Sequence, residues 1–164
     1  MREVSVYDLN SREAWQELLD YMQSALGLPS ALMDPKNIIL QSSGGRNELC
    51  REIRSRKKAL PVICGQSQQF MAKMARTQRT SVVEICEAGM VKLVVPLFHD
   101  QDYLGSITTC GAMLPETAIE TFLIEKAIGM GEDAIDEMAE NVPTVQTEQL
   151  EQVAEDIFRR LDGS

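Results

Sequence analysis

The chain has 164 residues, a common length for a single domain, and its 44% hydrophobic and 25% charged residues are typical of a soluble globular protein. No run approaches the roughly 18 apolar residues of a transmembrane helix, and the N-terminus lacks the apolar core of a secretory signal, so we expect a cytoplasmic protein without membrane contact. The net charge of −9 repels phosphate backbones and argues against direct nucleic-acid binding.

The first predicted element is an amphipathic helix that ends near residue 26. Asn10 is a candidate N-cap with Glu13 three positions later, and Gly27 and Pro29 stop the pattern. Its apolar side chains recur at helical spacing, so we expect them to pack in the core. They are Trp15, Leu18, Leu19, Met22, Ala25 and Leu26.

A hairpin and two helices are predicted next. SALMD and IILQSS have the composition of strands, with a turn that begins at Asp34-Pro35. Gly44-Gly45 breaks the pattern. NELCREIRSRKK then predicts a short helix, and Pro61 is expected to open a second helix that continues to about residue 79.

Three strand signals follow in succession, near residues 82–85, 90–98 and 103–114. Pro96 indicates an edge or bulge position in the second of these strands, because proline has no N–H to donate to a neighbouring strand.

The remaining chain is predicted to be helical. One helix is expected to open at Pro115-Glu116 and to run to Gly129 or Gly131, and an acidic helical stretch continues to Pro143. The C-terminal segment has apolar residues at steps of three, four and four, a coiled-coil-like seam. This seam either forms a homodimer or an output connection, or packs back on its own domain. Its residues are Leu150, Val153, Ile157 and Leu161.

The order of these elements predicts an α+β fold. Five short strands would form one antiparallel sheet, with the flanking helices on one face and an additional C-terminal helix. This is the ground plan of PAS and GAF sensor domains, in which a small-molecule pocket lies between the sheet and the helices.

The segment from LCREIRS to VEICEAGMVKLVVPLFHDQDYLGSITTCG resembles the PocR-type sensory domain, a PAS/GAF-like module of bacterial and archaeal regulators. The resemblance covers about residues 28 to 140. Glu87 replaces the histidine that usually follows the turn cysteine, and Cys110 replaces the first glycine of a closing Gly-Gly pair. The matching positions are Cys50 with Ile53-Arg54, Cys64, Cys86 to Met90, Val95-Pro96-Leu97, Leu104-Gly105 and Cys110-Gly111.

The resemblance implies a sensory domain over residues 1–142 and a C-terminal helix over residues 143–164. It implies a non-enzymatic signal sensor that binds a small organic ligand and transmits through that helix to a kinase or transcription-regulator output. Short diols and other fermentation products are the ligands it suggests. Strand alternation suggests a pocket wall, although the parity of the strands is assumed. The wall residues are Cys86, Gly89, Leu93, Val95, Thr109 and Cys110.

The four cysteines leave several interpretations open. They show no C-x-x-C spacing, so the short sequence signatures of zinc and iron–sulfur proteins are absent. They could be small core side chains, or pocket wall. They could form a redox switch if Arg51 and Arg54 lowered the pKa of Cys50. Alternatively, all four could hold zinc or an iron–sulfur cluster, which would make the protein a redox or metal sensor. The cysteines are Cys50, Cys64, Cys86 and Cys110.

Enzymatic activity is the least supported function. The single histidine, His99, is expected in a polar turn, so no catalytic triad can be assembled around it. The glycine-rich segment SSGGRN has neither the lysine nor the spacing of a phosphate-binding loop.

Overall fold

A five-stranded antiparallel sheet organises the chain, which a computed structural model describes over residues 3–162. The strands follow the order β2-β1-β5-β4-β3, so β1 lies between its hairpin partner and the long strand β5. The bounds are β1 (Ser30–Met33), β2 (Ile39–Ser43), β3 (Val82–Ile85), β4 (Val91–His99) and β5 (Asp102–Ala112).

Seven α-helices and one π-helical turn surround this sheet in the described part of the chain. The π-helical turn (Leu60–Gly65) leads directly into α4. The helices are α1 (Val6–Leu9), α2 (Arg12–Leu26), α3 (Glu48–Ser55), α4 (Gln66–Gln78), α5 (Thr121–Ile128), α6 (Glu132–Ala139) and α7 (Thr147–Asp162). The predicted α+β fold with five antiparallel strands and a C-terminal helix is therefore confirmed.

The N-terminal cap differs from the prediction by one residue. Ser11, not Asn10, caps α2, because its side chain accepts a hydrogen bond from the backbone N–H of Ala14 at 3.1 Å. Asn10 instead ends α1, a short helix that the hydrophobic pattern did not indicate. Gly27 adopts φ 70° and ends α2, as its position in the sequence predicted.

Helices cover both faces of the sheet, which corrects the expectation of helices on one face. On the first face, α2 and α7 pack against Leu93, Val95 and Ile107. On the second face lie α3, the π-helical turn, α4, α5 and α6. The physical reason is that β4 is buried on both sides over most of its length, so each side requires an apolar layer.

The C-terminal seam packs against the chain's own core. Leu150, Val153 and Ile157 are buried in the cluster that α2 and the sheet also form, and Leu161 packs against its edge. The structure therefore shows the packing of the seam on its own domain, whereas a homodimer or an output connection through this helix stays a prediction.

The segment after β5 is not helical where the sequence suggested a helix. Thr117 turns the chain, because its hydroxyl accepts from the backbone N–H of Leu114 at 3.1 Å. The backbone N–H of Glu120 donates to the carbonyl of Ala88 at 2.9 Å, which holds residues 115–120 against the turn that follows β3. The helix therefore begins at Thr121 instead of Pro115.

Among residues 3–162, no helix is long and apolar enough to cross a membrane.

Candidate functional site

A cavity of about 120 Å³ lies on the second face of the sheet. Strands β1, β4 and β5 form its floor, and α3 and the π-helical turn cover it. A single water needs roughly 10–15 Å³ measured in the same way, so the cavity has room for several waters or a small organic molecule. Much of its wall is apolar, from Ala31, Met33, Ile53, Ile63, Ala88 and Met90.

All four cysteines line this one cavity. They come from four separate parts of the fold: Cys50 from α3, Cys64 from the π-helical turn, Cys86 from the turn after β3, and Cys110 from β5. All four are partly buried and free of disulfides. The spacing in the sequence did not show whether the four sulfurs meet, but the fold brings them to a common space.

Asn47 places Cys50 at the cavity. Its Oδ1 accepts from the backbone N–H of Cys50 at 2.8 Å, which caps α3, and its Nδ2 donates to the carbonyl of Gly111 at 2.9 Å. Gly111 sits at a β-bulge with φ 97°, and a Cβ there would lie 3.3 Å from Nδ2 of Asn47 and 3.9 Å from Sγ of Cys50. The bulge therefore leaves space for α3 to approach the strand.

A tight turn places Cys86. The backbone N–H of Cys86 donates to the carbonyl of Met90 at 2.7 Å, and that of Gly89 donates back to Cys86 at 2.9 Å. Gly89 has φ 92°, and a Cβ there would lie only 2.2 Å from the carbonyl oxygen of Ala118. Gly89 is therefore required where another segment crosses the turn, and it does not line the cavity.

The π-helical turn places Cys64 and Ser67. A π-helical turn is rare and is frequently found at functional sites. The hydroxyl of Ser67 donates to the carbonyl of Ile63 at 2.8 Å and accepts from the backbone N–H of Glu87 at 3.3 Å. These bonds link the helix to the turn that carries Cys86.

The environment keeps the Cys50 thiol protonated. Burial, followed by the proximity of the other three cysteines, raises the pKa of Cys50 to about 12. Burial likewise raises the pKa of Cys86. The redox-switch interpretation required Arg51 and Arg54 to lower the pKa of Cys50, and the shift has the opposite sign. A reactive thiolate at Cys50 is therefore disfavoured at neutral pH.

A site for one metal ion is not formed by these cysteines. Within residues 3–162, no three side chains among His, Cys, Asp and Glu are grouped closely enough to hold a metal ion. Zinc requires tight grouping because its bonds to sulfur are about 2.3 Å long.

The cavity wall also carries three cations. Lys92 in β4 is 7% exposed, and Arg46 and Arg54 are half-buried. No Asp or Glu lines the cavity within the described residues. Sequence reasoning missed Lys92, although the signal was present as a single lysine in the otherwise apolar run MVKLVVPLF.

The six predicted wall residues divide into two groups. Cys86, Thr109 and Cys110 contact the cavity, although the hydroxyl of Thr109 already donates to the carbonyl of Pro29 at 2.7 Å. Leu93 and Val95 face α2 and α7 on the opposite side of the sheet, and Gly89 lies outside the wall. The parity assumed for β4 is thus reversed: Lys92, not Leu93, points to the cavity side.

Comparison with protein families identifies the class of this domain. The model of the family described as the sensory domain found in PocR matches residues 8–161, nearly the whole chain. The chain belongs to this family, which confirms the resemblance carried by the cysteine and turn motifs.

Comparison with solved structures gives only distant likenesses. One is the C-terminal domain of a protein described as a transcriptional regulator from Vibrio cholerae, with 12% identity, a TM-score of 0.41, and 91% of this chain and 98% of that chain covered. Another is a type II free methionine-R-sulfoxide reductase from Thermoplasma acidophilum, with 13% identity, a TM-score of 0.38, and coverage of 82% and 96%. A search of curated proteins gave no match. At this distance neither likeness says what the chain binds or does.

Proposed function

We propose that this sensory domain binds a small organic molecule in the cavity between the sheet and α3, and that it acts by binding and not by catalysis. The observation that carries the proposal is the cavity itself, which lies between sheet and helices and has a largely apolar wall. Polar groups such as the side chain of Thr108 would orient the ligand. The cavity wall offers no histidine or carboxylate as a general acid or base among the described residues, which supports a binding role.

We propose further that the bound state is transmitted to α7 through the end of β5. Cys110 and Gly111 line the cavity, and Met113 lies two positions after Gly111. The backbone N–H of Met113 donates to the carbonyl of Pro143 at 2.8 Å, and the N–H of Val145 donates to the carbonyl of Met113 at 2.9 Å. Movement of β5 at the cavity would therefore act on the segment that leads into α7. A kinase or transcription-regulator output would receive the signal there.

The test is titration with propane-1,2-diol and related short diols, followed by amide NMR spectra. We expect shifts at Cys110 and Gly111 and at Val145. Ala31→Leu, which enlarges a side chain on the cavity floor, should abolish them, whereas Ala25→Leu on the exposed side of α2 should not. Shifts that avoid the cavity, or that persist in Ala31→Leu, would contradict cavity binding. Shifts at the cavity without any at Val145 would contradict the proposed route.

One specific feature supports a second candidate function, a redox sensor with an iron–sulfur cluster. The chain has four cysteines, and all four line the same cavity. The described side chains are not grouped closely enough to hold a single metal ion. A cluster of several irons holds its cysteine ligands farther apart than a single ion does, so this finding does not argue against a cluster. Bound iron would deprotonate the thiols and supply one-electron redox chemistry.

Anaerobic purification distinguishes the two candidates. Stoichiometric iron and sulfide with visible absorption, lost in both Cys50→Ser and Cys86→Ser but kept in Thr108→Ser, would establish the cluster. Protein that remains colourless and free of iron after anaerobic reconstitution with iron and sulfide would eliminate it and leave the organic ligand.

A further inference from the structure

The charge of the cavity wall opposes the charge of the protein. The whole chain carries a net charge of −9, yet its cavity is lined by Lys92, Arg46 and Arg54 and by no carboxylate of the described residues. A wall of one sign attracts ions of the other sign and concentrates them, an effect that the low dielectric of the surroundings strengthens. The cavity therefore favours anions, although the net charge of the whole chain is negative.

Lys92 is the most informative of the three cations. It is only 7% exposed, and its register partner across the sheet is Cys110. Within residues 3–162, its ammonium group has no ion pair and no hydrogen bond. Lys92 lines the cavity, and its Nζ is not one of the fully enclosed polar atoms that lack a partner. An anion in the cavity would therefore meet an ammonium group that no carboxylate of the described wall neutralises, and proteins normally pair such a group with an anion.

The cavity wall does not supply that partner as a carboxylate, because no Asp or Glu of the described residues lines it. A molecule that enters the cavity must therefore bring the negative charge.

The surroundings of Lys92 indicate what kind of anion fits. Thr108 lies on the same face of the sheet, two strand positions from Cys110, and its hydroxyl makes no hydrogen bond within the described residues. The elements that cover the cavity contribute the apolar side chains of Ile53 and Ile63, and Met90 lines it as well. A ligand that satisfies both sides has a charged end and a short hydrocarbon part.

We propose that the ligand of this sensor is a short-chain carboxylate, with its carboxylate against Lys92 and Thr108 and its hydrocarbon part against Met90 and Ile63. Arg54 and Arg46, which line the same cavity, add to the attraction before the ligand is enclosed. This inference rests on the proposed function, since it names the chemical class of the molecule in the same cavity.

Isothermal titration calorimetry with three probes tests the proposal: butyrate, butan-1-ol of nearly the same shape without charge, and inorganic phosphate. We expect butyrate to bind at least about tenfold more tightly than either of the others, because a charge-assisted hydrogen bond and an apolar contact are both needed. Lys92→Met, which keeps the length of the side chain and removes its charge, should weaken butyrate binding by a similar factor. Lys92→Arg should restore part of it.

Lys73→Met is the matched control, because Lys73 is exposed on α4 and does not line the cavity. Equal binding of butan-1-ol and butyrate, or full butyrate affinity in a folded Lys92→Met protein, would overturn the carboxylate while leaving a small-molecule sensor in place. Preferred binding of phosphate would replace it with an inorganic anion. No binding of butyrate overturns it as well, and if diols also leave the cavity amides unchanged, the proposed function fails separately.

Discussion

Asn47 joins α3 to β5 through a hydrogen bond of 2.9 Å from its Nδ2 to the carbonyl oxygen of Gly111. The same side chain caps the helix, since its Oδ1 accepts from the backbone N–H of Cys50 at 2.8 Å. One amide group therefore sets the distance between the helix above the cavity and the strand below it. This link places Cys50 and Cys110 on facing walls of the cavity.

Replacing Asn47 should affect both stability and the cavity. Asn47→Ala removes the cap and the bond to Gly111, so we expect it to lower the free energy of unfolding by about 1–3 kcal/mol, measured by urea denaturation. Ser11→Ala removes only the cap of α2 and should cost about 1 kcal/mol. Only Asn47→Ala should also shift the amide resonances of Cys110 and Gly111. Unchanged resonances would mean that the bond does not hold the strand.

Gly111→Ala should destabilise the protein through backbone strain. Gly111 has φ 97°, and a new Cβ would lie 3.3 Å from Nδ2 of Asn47. We expect a loss of about 1–3 kcal/mol in the free energy of unfolding. Gly45→Ala is the control, because Gly45 has no positive φ and no atom within 4 Å of a new Cβ. Equal effects of the two substitutions would contradict a special role for the bulge.

The stability of the protein should fall at high pH because of Cys50. Its pKa rises from an ordinary value of 9.0 to about 12 on folding, so above pH 9 the unfolded chain binds fewer protons than the folded one. The free energy of unfolding then decreases as the pH rises from about 9 towards 12. Denaturant titrations at several pH values should show that Cys50→Ala removes part of this decrease. If the free energy of unfolding depended on pH in the same way for both proteins, folding would not raise the pKa of the Cys50 thiol.

The buried side chains of α7 should contribute to the stability of the protein as strongly as those of a core helix. Leu150 is 1% exposed in the cluster shared with α2, so Leu150→Ala should cost about 2–5 kcal/mol. Glu151→Ala, one position later on the exposed side, should change stability by no more than about 0.5 kcal/mol. A small effect of Leu150→Ala in urea denaturation, together with a change in the molar mass of the protein by light scattering, would contradict this prediction. It would indicate that the seam is a dimer contact.

The sequence predicted the elements of the sheet better than the direction of their side chains. Strands β3, β4 and β5 were placed within a few residues, because each has a run of β-branched and apolar residues between turns. The sequence could not predict which side chains of β4 point to which face of the sheet. Residues 91–97 are all buried and show no alternation of apolar and polar side chains. As a result, Leu93 and Val95 were assigned to the cavity in place of Lys92.

The convergence of the cysteines depended on tertiary structure that no local pattern records. Cys50 reaches the cavity through the link from Asn47 to Gly111, and Cys64 reaches it through a π-helical turn that periodicity does not reveal. Helix α5 was placed too early because Pro115 is a common first residue of helices, whereas here the side chain of Thr117 stabilises a turn. The family motifs did locate the correct region, since they carry the turn at Cys86 and the bulge at Gly111.

The floor of the cavity joins parts of the chain that are made far apart in time. Ser30 pairs with Thr109, and the hydroxyl of Thr109 bonds to Pro29 across a separation of 80 positions. Pairing over such a distance slows folding relative to helical proteins, since a long loop must close before contacts form. A nascent chain that ends before β5 lacks the strand that joins β1 to β4, and so lacks a complete cavity floor. Ligand binding should therefore be among the last properties to return on refolding.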